Sequence, residues 1–326
     1  MATAAASTSR GSDDGTLSDV RHGELTTSSV WWFFVATFVL SWGVGALVVT
    51  FLDQVESVLG PLGYTNPAFI LMVYAPGFVG VFLVWRHYGL RGLRSFFRRM
   101  TLWRMSTSWW LVLLLGMPGV FYAGAVVTGN VSDFPFDPWY GVFPALVPAL
   151  LIGPIEELGW RGVALPLLQR RFAPLYSALI LGVVSAVWHT PAFFMSGTKQ
   201  AAWNFWPFFF GVIAISVILT PMFNAAGGSL FVAVLFHAQM NGPAWPDAQP
   251  WDMLGFVLVA VIVTWVNRNT MLHRGGGATA VLADEATAEP SARGPAPSRL
   301  HVLPAASRFD DQSPSISAGS AKAGRR

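Results

Sequence analysis

No charged side chain interrupts the chain from Val30 to Leu52, and this run constrains the fold more than any other feature. About 20 apolar residues in helical conformation cross the ~30 Å of hydrocarbon in a bilayer. The run is longer than the apolar core of a signal peptide, and no basic cluster abuts its start, so it reads as a retained anchor. Similar apolar stretches follow at 67–86, 108–128, 139–155, 174–195, 205–223, 227–243 and 251–267. Only 11% of the residues are charged, where a soluble domain carries about 25%. That is too little polar surface for a water-soluble globule. The expected fold is all-α: a polytopic membrane protein of about eight transmembrane helices enclosing a cytoplasm-facing cavity, embedded in the plasma membrane.

The domain carrying this pattern is expected over 30–271. The segment 1–29 is rich in Ala, Ser, Thr and Gly, and 272–326 in Gly, Ala, Ser and Pro, so both read as disordered tails. Short apolar segments with internal prolines, such as 139–155 with Pro144, Pro148 and Pro154, are tolerated where they line a protein-buried or wet cavity. Arginines are unevenly placed. Arg86, Arg91, Arg94, Arg98, Arg99 and Arg104 follow the second segment, Arg161, Arg170 and Arg171 the fourth, and Arg268 and Arg274 the eighth. The alternate loops carry Asp53 and Glu56, Asp133 and Asp137, and only Lys199. Positive-inside counting places both termini and the arginine loops in the cytoplasm. Within 90–104, Leu90, Leu93, Phe96, Phe97 and Met100 alternate with arginines, a pattern that suits a helix in the headgroup plane as well as simple topology anchors. The net charge of +3 sits beside apolar segments, which gives no sign of a nucleic-acid partner. The absence of cysteine excludes disulfides, thiolate ligands and a cysteine nucleophile.

Ionisable groups at membrane depth are costly and usually functional. Here they fall at Glu156-Glu157-Leu158-Gly159-Trp160-Arg161, at His189, and at His237 with Asn241. Glu157 and Arg161 are four apart and share a helix face, where they pair. Glu156 is turned about 100° away, and a carboxylate left out of that pair suits a general base. His237 and Asn241 also share a face, and an asparagine amide suits a developing oxyanion. Pro191, after His189, removes a helical hydrogen bond. Separate structural roles would put the glutamates at a cytoplasmic boundary and make each histidine a local hydrogen-bonder. Three clusters on three segments favour one shared site.

The order Glu-Glu-x-x-x-Arg, Trp-His-x-Pro, His-x-x-x-Asn resembles the CPBP family of intramembrane proteases, which includes type II CAAX prenyl endopeptidases and Abi-type proteins linked to bacteriocin immunity. The resemblance is closest around EELGWRGVALPLLQRRFAPLYSALILG, VWHTPAFF and FHAQMN, and extends loosely through Ser41-Trp42 and Ala75-Pro76-Gly77 over 30–267. It implies a cytoplasm-facing cavity in which Glu156 and His189 activate water, while His237 and Asn241 stabilise an oxyanion or ligate metal. Ser185 stands where many members carry an aromatic residue four before the histidine, which bears on the pocket wall. Glu157, His189 and His237 would match a three-ligand catalytic zinc site. The same side chains suit a metal-free, glutamate-activated water, since no HExxH spacing fixes two ligands on one helix. The family's classification among metalloproteases favours zinc or another divalent ion. The substrate implied is a membrane-associated peptide or protein. The rival reading is a non-catalytic membrane protein: a proton-coupled transporter, or an immunity protein acting by binding.

Overall fold

The computed structural model describes residues 24–288, apart from 64, 133, 152 and 196–197. The outer parts of both expected tails, and the loop residue Asp133, lie outside the described residues. All regular structure among the described residues is helical, and the chain is a polytopic membrane protein. The helices are α1 (Ser29–Thr50), α2 (Leu52–Leu59), α3 (Pro67–Val73), α4 (Ala75–Arg98), α5 (Thr107–Thr128), α6 (Val142–Leu151), α7 (157–169), α8 (Pro174–Trp188), α9 (Phe205–Ala225), α10 (Leu230–Met240) and α11 (Trp251–Val266).

Every apolar segment is helical, but not every one is a full span. Four stretches are long and apolar enough to cross a bilayer: α1, α5, α8 with the turn that follows it, and α9. The bent pair α3–α4, turned by 72° at its break, makes a fifth if counted as one span. The remaining apolar segments are the shorter helices α6, α10 and α11. At ~1.5 Å per residue, α6 and α10 reach only about half of ~30 Å.

Helix α9 is the inner helix, packed between α8 and α11, while α5 packs on α11 and α1 on α3 and α4. Large apolar side chains also point outward, including Trp31, Trp32, Val39 and Leu47 of α1 and Leu258, Val261, Ile262 and Trp265 of α11. Helices apolar on all sides are what a lipid surround requires. Helix α4 meets α7 backbone to backbone: a Cβ on Gly80 would lie 2.7 Å from the Gly159 Cα. Small residues at such a crossing let two membrane helices approach closely, and here they seat the Glu156–Glu157 turn against α4.

Arg99, counted by sequence among the topology-setting arginines, is instead buried at 1% exposure. Its guanidinium donates from Nε to the Gly228 carbonyl (2.9 Å), from Nη1 to Gly162 (2.7 Å) and Val281 (3.0 Å), and from Nη2 to Arg161 (3.4 Å). It lies over the rings of Phe96 and Phe223. Carbonyl dipoles and aromatic faces thus replace water around a buried cation.

Described residues of both expected tails dock on the helices. Leu25 is buried, donates its N–H to Tyr88 Oη (3.0 Å) and accepts from Arg170 Nη1 (2.6 Å). Beyond 272, Ala280, Val281 and Ala283 are buried, and the Ala278 and Thr279 carbonyls accept from Gln169 Nε2 (2.8 Å) and Arg170 Nε (3.0 Å). The docking combines these carbonyls with the Leu25 and Val281 side chains, which are buried in the core.

Candidate active site

The chain enters the glutamate region through a tight 3-10 turn at Gly153–Glu156 and continues into α7, which contains a wider π-type turn at Trp160–Ala164. Such turns shift the register of side chains along a helix and recur at functional sites. Glu156, Glu157 and Arg161 are 5%, 2% and 5% exposed. Arg161 Nη1 donates to Glu157 Oε1 at 3.1 Å, the expected pairing four residues apart.

The same Oε1 accepts from His237 Nδ1 at 2.8 Å, joining α10 to α7. His237 is thereby oriented by Glu157, leaving its Nε2 to face elsewhere. Glu156 stands outside that hydrogen-bonded group yet within electrostatic reach of His237. Glu157 Oε2, Arg161 Nε and Trp188 Nε1 are buried without a hydrogen-bond partner among the described residues.

His189 ends α8. Its Nδ1 lies 2.8 Å from the Ser185 carbonyl oxygen. A carbonyl only accepts, so Nδ1 carries the hydrogen, and whenever the ring is neutral its lone pair is at Nε2. Ser185, the departure noted above, therefore acts through its backbone. The His189 ring is held edge-to-face by Trp188 (4.7 Å) and Phe208 (5.4 Å). Trp188 packs on Trp160 (5.9 Å), which in turn meets Phe33 of α1 (5.4 Å). Trp42 Nε1 donates to the Trp188 carbonyl at 3.1 Å, so α1 braces the end of α8 where His189 sits. His189 also lies within electrostatic reach of His237.

Hydrogen bonds thus join Glu157 and Arg161 of α7 to His237 of α10, and Trp160–Trp188 packing sets the end of α8 beside α7, with Glu156 in the turn just before it. Asn241 follows less closely. Its backbone N–H bonds the His237 carbonyl at 3.1 Å, which keeps it on the helical path, but its side chain is exposed. Two residues that bear on the site went unassigned from sequence. Trp42 had only the weak signal of a Ser-Trp pair, and Arg99 was indistinguishable from its exposed neighbours.

Glu157, His189 and His237 would be the side chains to hold a divalent ion, the Glu157 Oε2 being buried without a hydrogen-bond partner among the described residues. Glu157 Oε1 already accepts from Arg161 and His237, and among the described residues no three His, Asp or Glu side chains are grouped around an ion position as they stand, so holding one would take a rearrangement.

Residues 138–242, which hold all three motifs, match the model of the type II CAAX prenyl endopeptidase Rce1-like family. A CAAX prenyl protease 2 of Methanococcus maripaludis is 28% identical over 144 residues, covering 40% of this chain and 53% of the relative. The chain thus spans about half the length of the curated relative it matches. Motif order and both matches agree, and the chain's resemblance to the CPBP/CAAX protease family is thereby shown.

Proposed function

We propose that this chain is an intramembrane endopeptidase that hydrolyses a peptide bond of a membrane-associated protein or peptide with water activated by Glu156 and His189. The observation that carries the reading is the division between two adjacent glutamates. Arg161 and His237 both close on Glu157, and Glu156 is left outside as the carboxylate able to take a proton. His189 adds a bare Nε2, because its Nδ1–H is committed to Ser185.

In this mechanism a water molecule gives a proton to Glu156 or to His189 Nε2 while its oxygen attacks the scissile carbonyl carbon. The carbonyl π electrons move to oxygen, and the oxyanion accepts hydrogen bonds from the Asn241 amide and from the Nε2–H of a doubly protonated His237, whose Nδ1–H stays on Glu157. Collapse breaks the C–N bond, and the proton held on Glu156 or His189 passes to the leaving amine. Of these donors His237 is held in advance by Glu157, and a donor fixed before the reaction stabilises developing charge without reorganisation. No step is routed through a metal ion. The relative's name, CAAX prenyl protease, supports a substrate anchored at the membrane surface. The arginine distribution supports an orientation with both termini cytoplasmic, and the membrane proposed is the plasma membrane.

The test is proteolysis by the purified chain in lipid against a panel of membrane-anchored substrates. Glu156→Gln is expected to keep wild-type folding and to lower the cleavage rate by at least a hundredfold. Undiminished cleavage by that variant would end the assignment of Glu156, and retention of cleavage by Glu156→Gln and His189→Ala alike would end the hydrolytic reading of this site.

A further inference from the structure

At Gly89 the backbone leaves helical geometry inside α4, with φ +63° and ψ −163°, so the apolar part of the helix and its arginine-rich end meet at a kink. Positive φ of this kind is open to glycine and strained for other residues. Beyond the kink, Arg91, Arg94, Arg98 and Arg104 are exposed, as is Arg86 just before it. Leu90, Phe97 and Trp103 are exposed between them at 75%, 42% and 57%. No acidic residue occurs from 86 to 104. Among the described residues, Arg98 alone of these arginines has a close carboxylate, Asp284 at 2.6 Å.

Two apolar hollows flank this segment. One, about 480 Å³, lies in the crook of the kink, with Trp85 on one side, Leu93 on the other, and Ile155 and Leu158 at its base. The other, about 370 Å³, is lined by Met100, Trp103, Trp110 and Phe231. Arginines interleaved with exposed aromatic and aliphatic side chains suit the headgroup level of a bilayer, where the charge meets phosphate and the apolar groups meet acyl chain. Hollows on both sides of such a segment add space for hydrocarbon beneath the charge.

We propose that residues 86–104 bind an anionic phospholipid of the surrounding bilayer, with its phosphodiester on the exposed arginines and its acyl chains in the two flanking hollows. The charge favours this occupant over a neutral isoprenoid or a zwitterionic lipid. The proposal is independent of the hydrolytic reading. It has one consequence for that site: a chain in the larger hollow would touch Ile155 and Leu158, which bracket Glu156 and Glu157.

Purified protein in a neutral detergent is titrated with phosphatidylglycerol, with phosphatidylcholine of the same acyl chains, or with farnesol. Retained ligand is read by native mass spectrometry and the melting midpoint is followed in parallel. Wild type is expected to retain phosphatidylglycerol and to rise in midpoint, with neither effect from phosphatidylcholine. The R91Q/R94Q/R104Q variant is expected to bind phosphatidylglycerol about a hundredfold more weakly, taking ~1 kcal/mol for each arginine near a charged surface. If that variant does not fold, Arg91→Gln alone is expected to weaken binding about fivefold on the same basis. Leu93→Trp, which fills the larger hollow, is expected to lower lipid retention while leaving its salt dependence intact. Equal retention of both phospholipids, unchanged phosphatidylglycerol binding by the arginine variants, or full displacement by farnesol would each overturn the proposal.

Discussion

His237 donates its Nδ1–H to Glu157 Oε1 across 2.8 Å, linking residues 80 apart in the chain, and Arg161 donates to the same oxygen. One carboxylate oxygen thus fixes the site histidine and neutralises the site arginine. Glu157 is an organiser in this arrangement, and its neighbour Glu156 is the group left for chemistry.

Removing Glu157 leaves Arg161 buried without its carboxylate. Loss of one partner from a buried pair costs about 3–5 kcal/mol. Glu157→Ala is expected to lower the melting midpoint strongly, and Arg161→Ala to do the same, while Glu156→Gln stays near wild type. Differential scanning fluorimetry in detergent measures all three. A Glu156→Gln protein less stable than Glu157→Ala would reverse the division of roles.

The contact of α4 with α7 has no room for a side chain. A methyl group added at Gly159 would meet the Pro76 carbonyl and the Phe33 ring. Overpacking of this kind costs about 1–3 kcal/mol, so Gly159→Ala is expected to reduce both stability and turnover, because the displaced element carries Glu156 and Glu157. Gly119→Ala, at a position with open space around its Cβ, serves as the control and is expected to change neither. Wild-type stability in Gly159→Ala would contradict the close approach.

Arg99 is expected to be intolerant of truncation although no carboxylate faces it among its hydrogen-bond partners. Arg99→Met removes donors from carbonyls of Arg161, Gly162, Gly228 and Val281, and an unsatisfied buried polar group costs about 1–3 kcal/mol. Limited proteolysis then reports the second effect: release of the chain around Val281 and earlier cleavage there than in wild type. Unchanged protection of that segment would show that Arg99 does not hold it.

Chelation separates the two ways of activating water. With Glu157 engaged by Arg161 and His237, and no three-residue metal group among the described residues, cleavage is expected to persist after prolonged 1,10-phenanthroline and dialysis. Loss of activity restored by added zinc would show that the site rearranges around an ion.

What the sequence determined is whatever short-range physics dictates. Uncharged runs such as Val30 to Leu52 must be helical in lipid because no water satisfies their backbone groups. Glu157 and Arg161, one helical turn apart, must face each other. The motif order around Glu156, His189 and His237 was equally legible, because the residues themselves carry it. Only the tertiary structure decided that His237 closes on Glu157, that Trp42 of α1 braces the residue before His189, and that Arg99 is buried while Arg98 beside it is exposed. Each of these joins segments far apart in the chain, and no periodicity encodes which carbonyl a distant donor meets. Which apolar segments are long enough to span alone was likewise decided by the structure. Hydropathy registers that a segment avoids water, but α6 and α10 are too short to cross a bilayer alone, and an apolar helix sheltered by neighbouring helices has the same composition as one surrounded by lipid.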